Sequence, residues 1–148
     1  MAKSRKKAPV RRTQKAGSRY QVFVSHATAD KWLATVLCEK IERTGASTSR
    51  DDRDIDGGDD IPDRIRGEIK RSNEMVILLT PESTGRPWVL LEAGGAWVTR
   101  ARYRIVAVLC HVRVDTIPEM LASKKAIPLN AFDEYLKELK ERVRRHKR

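Results

Sequence analysis

Met75-Val76-Ile77-Leu78-Leu79 is an unbroken apolar run between Asn73-Glu74 and Thr80-Pro81. A strand that is apolar at every position, rather than at alternate ones, is covered on both faces. Five residues suit a strand better than a buried helix. A second such run occupies 105–110. Between them Pro87 suits the first position of a helix, where its missing N–H has no partner to lose. That helix is expected to extend to about Arg100. Two buried strands joined through a helix form a parallel pair with a right-handed crossover.

The flanking sequence continues the alternation. Residues 20–25, Tyr-Gln-Val-Phe-Val-Ser, read as a first strand. A helix from Asp30 carries Leu33, Val36, Leu37 and Ile41 on one face, with Cys38 beside it, and Gly45 stops it. Residues 46–50, Ala-Ser-Thr-Ser-Arg, sit where a second strand belongs, and their polarity places it at an edge. Ile61, Ile65 and Ile69 recur every four residues on a second helix. A weak helical segment surrounds 117–121, and 126–129 reads as a fifth strand. Residues 131–146 read as a last helix with Phe132, Leu136, Leu139 and Val143 inward. The expected fold is α/β: a doubly wound, five-stranded parallel sheet with helices on both faces.

The chain of 148 residues suits one domain, and no 18-residue apolar run is present. The basic N-terminus lacks the apolar stretch of a signal peptide. Cys38 and Cys110 form no CxxC pair, so two reduced thiols in a cytoplasmic protein are expected. The net charge of +11 is unevenly placed. Residues 1–19 hold eight cations and no acid. Residues 134–148 hold seven cations and three acids, which leaves −1 for 20–133. Residues 1–19 are therefore expected to be a disordered basic tail, and 20–148 the folded domain. A neutral body argues against a nucleic-acid-binding fold. Any such affinity is expected to be nonspecific and to lie in the tail.

Candidate chemistry gathers where strands end. Trp88-Val89-Leu90-Leu91-Glu92 places Trp88 and Glu92 four residues apart on one helix face. Glu92 lies among Val89, Leu90, Leu91, Ala93 and Ala96, and Gly94-Gly95 permits close approach to the backbone. A packed Trp beside a solvated Glu is the plainer reading. Ser25-His26 ends the first strand, where His26 is a candidate phosphate or ribose contact. The acidic loop 51–60 lacks the Glu of an EF-hand's twelfth position, so no metal is expected. No Walker loop, GxGxxG after a strand, HExxH or GxSxG occurs.

Three boxes, in order, resemble the TIR (Toll/interleukin-1 receptor) domain family. Tyr20-Gln-Val-Phe-Val-Ser-His26 resembles its first box. Arg50 to Pro62 resembles its BB loop, and Trp88 to Glu92 its WxxxE pattern. The resemblance spans about residues 20–145. It implies a flavodoxin-like TIR fold and, as in bacterial and plant-type members, cleavage of NAD at the nicotinamide–ribose bond. Glu92 takes the place of the catalytic carboxylate, with Ser25, His26, Asp51 and Trp88 as substrate-binding residues. NAD is then a substrate, and no cofactor is implied. The family further implies homo-oligomers through TIR–TIR contacts. For bacterial members it implies antiphage defence of the Thoeris type, in which an ADP-ribose-derived signal reaches a separate effector. The polar residues 47–50 depart from the usual apolar second strand. A non-catalytic adaptor acting by homotypic assembly is the alternative, and a module tethered to nucleic acid by its tail is another.

Overall fold

Strand β3 (Glu74–Leu79) is buried at all six positions, as an apolar run flanked on both faces requires. The computed structural model describes residues 19–50, 63–83, 103–113 and 125–147. Four further strands pair around β3: β1 (Gln21–Ser25), β2 (Ser47–Arg50), β4 (Arg104–Leu109) and β5 (Lys125–Pro128). All pairings are parallel, in the order β2-β1-β3-β4-β5. The sheet is the expected five-stranded parallel one, and β2 is the expected polar edge.

Side chains alternate across the sheet and divide the core in two. Val22, Val24, Val76, Leu78, Val106 and Val108 face helices α1 (Lys31–Glu42) and α3 (Phe132–His146). Phe23, Met75, Ile77, Leu79, Ile105 and Ala107 face α2 (Asp63–Arg71), through Ile65 and Ile69. Register explains the partition, since Phe23, Met75 and Ile105 are aligned neighbours on three strands.

The helices follow their apolar periodicity with two differences. On α1 the buried residues are Leu33, Ala34, Leu37, Cys38 and Ile41, whereas Val36 is exposed. At 100° per residue, Val36 falls well away from the stripe centred on Leu37 and Ile41, and Trp32 lies opposite it. On α3 Tyr135 is fully buried while Leu136 is half-buried. Gly45 ends α1 as expected, at φ 104°, and a Cβ there would meet Val143 at 3.2 Å. The tail, the loop 51–60, the helix expected over 87–100 and the segment 117–121 lie outside the described residues.

Tyr135 is buried because it serves a carboxylate. Glu74, the first residue of β3, is wholly inaccessible. It accepts hydrogen bonds from Arg142 Nε at 3.1 Å and Nη2 at 3.0 Å, from Tyr20 Oη at 2.7 Å and from Tyr135 Oη at 3.2 Å. A buried charge persists only when paired and fully hydrogen-bonded, and four donors meet that demand here. Burial and the neighbouring Glu74 raise the pKa of both tyrosines, so they remain donors. The cluster ties α3 and the entry to β1 to the central strand. Arg142→Ala is expected to cost about 3–5 kcal/mol, because Glu74 would stay buried without its cation. Replacing both residues by leucine should recover much of that loss. Urea denaturation of the two variants measures the difference.

Candidate functional site

In this strand order the chain departs to opposite sides after β1 and after β3. The crevice outside the carboxyl ends of these two strands is where open α/β sheets bind ligands. Ser25 closes β1 there and is 2% exposed. Its Oγ is buried with no hydrogen-bond partner among the described residues. A buried hydroxyl normally has one, so the exception needs a cause. His26 follows and is buried. Its Nδ1 lies 2.7 Å from the Ala27 carbonyl oxygen. A carbonyl only accepts, so Nδ1 carries the proton, and in the neutral ring Nε2 is the acceptor.

A second group of buried polar residues joins the two strand exits. Asp30, in the turn before α1, accepts a hydrogen bond from Thr80 Oγ1 at 2.5 Å. Thr80 follows β3 directly and also accepts from the Glu82 N–H at 3.1 Å. Its own N–H donates to Ser83 Oγ at 2.8 Å, and the Ser83 N–H returns to the Thr80 carbonyl at 3.0 Å. Asp30, Thr80 and Ser83 are all buried. The Thr80–Ser83 turn therefore leaves the sheet in a direction fixed by Asp30. Residues 84–102, with Trp88 and Glu92, follow it.

Of the residues expected at the site, Ser25 and His26 lie at the β1 exit, beside the switch point. Asp51, Trp88 and Glu92 lie outside the described residues. Sequence reasoning misses Asp30, Thr80 and Ser83, because Asp30 reads as a helix start and Thr80-Pro81 only as the end of an apolar run. A Thr-Pro turn straight after a buried strand is the one signal that points to them.

Other features do not join this crevice. His111, past the end of β4, adopts φ 61°, a left-handed conformation in which His is among the commoner non-glycine residues. An open groove of about 530 Å³ borders edge strand β2, between Thr35, Cys38 and Glu39 on α1 and Arg64 and Glu68 on α2. Neither Ser25 nor His26 lines it. Cys38 and Cys110 are free thiols, and burial raises the Cys38 pKa. No group of His, Cys, Asp and Glu suited to a metal occurs among the described residues. Among those residues no helix is long and apolar enough to cross a membrane.

A parallel sheet of order 2-1-3-4-5 with polar residues at the β1/β3 exit defines a flavodoxin-like α/β domain. Solved structures share this fold. A diflavin flavoprotein A3 from Nostoc sp. superposes with a TM-score of 0.61 at 17% identity, over 87% of this chain and 96% of the other. The TIR domain of the Toll-related receptor TRR-2 from Hydra magnipapillata gives 0.61 at 21% identity, over 84% and 98%. The TIR domains of the activated Roq1 resistosome, which directly recognises the pathogen effector XopQ, give 0.51 at 15%, over 86% and 82%. No curated protein matches the chain at a significant level. The family model for the TIR domain matches residues 22–142, and the chain belongs to the TIR domain family. That family includes NAD-cleaving enzymes and adaptors.

The clasp at the crevice has a measurable consequence. Thr80→Val keeps the shape of the side chain but leaves the Asp30 carboxylate and the Glu82 N–H without the threonine hydroxyl. A loss of about 1–3 kcal/mol is expected, against a smaller one for Thr80→Ser, which retains the hydroxyl. Thermal and urea unfolding of the two variants distinguish loss of the hydroxyl from loss of the methyl.

Proposed function

We propose that this TIR domain cleaves NAD at the nicotinamide–ribose bond, with Glu92 as the catalytic carboxylate. The observation that carries the reading is the Trp88–Glu92 pair, at the WxxxE position of a chain matched by the TIR model over residues 22–142. The crevice between the β1 and β3 exits supports it. There the unpartnered hydroxyl of Ser25 and the imidazole of His26 are suited to bind ribose and phosphate oxygens. Asp51 and Trp88 complete the proposed substrate contacts.

The chemistry needs one carboxylate. Nicotinamide departs as a neutral ring, taking the electron pair of the bond from C1′ to its nitrogen. No proton donor is required, unlike a glycosidase, whose leaving oxygen needs an acid. The ribosyl cation that develops is stabilised by the anion of Glu92. Water attacks C1′ and releases a proton to give ADP-ribose. An internal adenine nitrogen or a small amine in the place of water gives a cyclic or conjugated signal. In a bacterial host this chemistry serves antiphage defence, by NAD depletion or by signalling to a separate effector. Two free thiols suit a cytoplasmic setting.

TIR domains commonly oligomerise through TIR–TIR contacts, and we assign activation of the enzyme to such assembly. One assay tests the whole reading: nicotinamide released from NAD by the pure protein, followed chromatographically across a wide range of protein concentration. The specific rate is expected to rise with concentration. Glu92→Gln is expected to lower it at least about 100-fold while the circular dichroism spectrum is unchanged. Parent-like turnover by Glu92→Gln would remove the catalytic assignment. Absence of nicotinamide at every concentration would leave the adaptor role.

A further inference from the structure

The parallel sheet separates charge in a way that net charge conceals. Every described helix packed on the sheet ends at the edge where the strands begin; α2 and α3 end in cations, and α1 ends in a mixed turn in which Lys40 and Arg43 stand beside Glu39 and Glu42. Lys40 lies in the last turn of α1, with Arg43 as its cap. Lys70 and Arg71 end α2. Arg144, Arg145 and His146 end α3, and Lys147 caps it. Cations are favoured there because the carbonyl ends of helices carry partial negative charge. Strands β4 and β5 also begin with exposed cations, Arg104 and Lys125.

At α1, Glu39 and Glu42 offset Lys40 and Arg43, so the basic character of this edge comes from the ends of α2 and α3 and the starts of β4 and β5. Glu74 is wholly buried and engaged by Arg142. Glu68, Glu138 and Glu141 lie in surface pairs with Arg71, Lys125 and Arg144. Arg71 and Arg144 remain 64% exposed and Arg145 61%. Exposed pairs of this kind are weak and yield to a stronger anion.

The chain also enters the domain here. Tyr20 packs edge-on against His146, with ring centroids 5.4 Å apart. Tyr20 follows Arg19, the last of the eight cations of residues 1–19 in the sequence.

We propose that this edge is a docking surface for the phosphodiester backbone of duplex nucleic acid. A duplex presents one negative charge about every 1.7 Å of its axis, and a row of arginines and lysines gains affinity by releasing its counterions. A membrane is the poorer fit. Among the described residues the exposed large apolar side chains are Trp32 and Val36, on the first half of α1 near the opposite edge. Among the described residues the basic edge therefore offers no large apolar anchor for lipid. A protein held this way turns the strand-exit edge, with Ser25 and Thr80, away from the duplex. Several copies on one duplex would meet at high local concentration.

The test uses the full-length chain and fluorescence anisotropy of a labelled DNA duplex of about 30 base pairs, titrated over a range of salt. The parent is expected to bind, with affinity falling steeply as salt rises. Arg144→Glu/Arg145→Glu is expected to weaken binding at least about tenfold near physiological salt. The same variant should flatten the salt dependence by roughly one unit of slope for each phosphate it no longer neutralises. Arg144→Gln/Arg145→Gln, which keeps the polar helix end, should show the same trend more weakly. In the parent, the duplex should protect Lys125 and Lys147 from acetylation while Lys31, beside the crevice, stays reactive. The proposal is overturned if the parent ignores the duplex, or if both variants bind like the parent, which would place binding in residues 1–19 alone. It is overturned equally by binding to phosphatidylserine vesicles without binding to the duplex, or by a duplex that leaves Lys125 and Lys147 unprotected.

Discussion

Parallel pairing is the constraint from which the rest of this molecule follows. Each parallel strand must be reached by a crossover, and helices supply it. All strand carboxyl ends then share one edge, and all helix carboxyl ends share the other. Ser25, His26, Asp30 and Thr80 gather at the first edge because β1 and β3 end there, at the point where the chain departs to opposite sides. Arg43, Arg71 and Arg144 gather at the second because three helices end there.

Both edges are held by buried polar contacts rather than by apolar packing alone. Glu74, with Arg142, Tyr20 and Tyr135, fixes α3 against the start of the central strand. Asp30 with Thr80 fixes the turn before α1 against the end of the same strand. A buried polar contact stabilises only in its complete form, so each clasp favours one arrangement of its elements. At the strand exit, that rigidity fixes the course of Thr80 to Ser83.

Much of the fold is legible in the residues alone. The run 75–79 announces a doubly covered strand, and Ser47-Thr48-Ser49 announces an edge, because burial writes itself into local composition. Ser25 and His26 are legible as strand-end residues. Glu74 is not, since a Glu beside an apolar run looks like a solvated strand end. Its burial depends on Arg142, 68 residues later. Asp30 is hidden for the same reason, its partner being 50 residues on. Val36 is misleading because four apolar residues on α1 admit more than one stripe, and contact with the sheet decides between them. Periodicity reports which face is buried, whereas pairing between distant polar residues leaves no local trace.

The central claim is that NAD is recognised at the β1/β3 exit, and backbone NMR with an uncleavable NAD analogue tests it most directly. The amide signals of Ser25, His26, Thr80 and Ser83 should shift on titration and saturate together, while those of Gly45, Arg144 and Lys147 at the far edge stay in place. Saturable shifts confined to the groove beside β2, or to the far edge, would contradict the account.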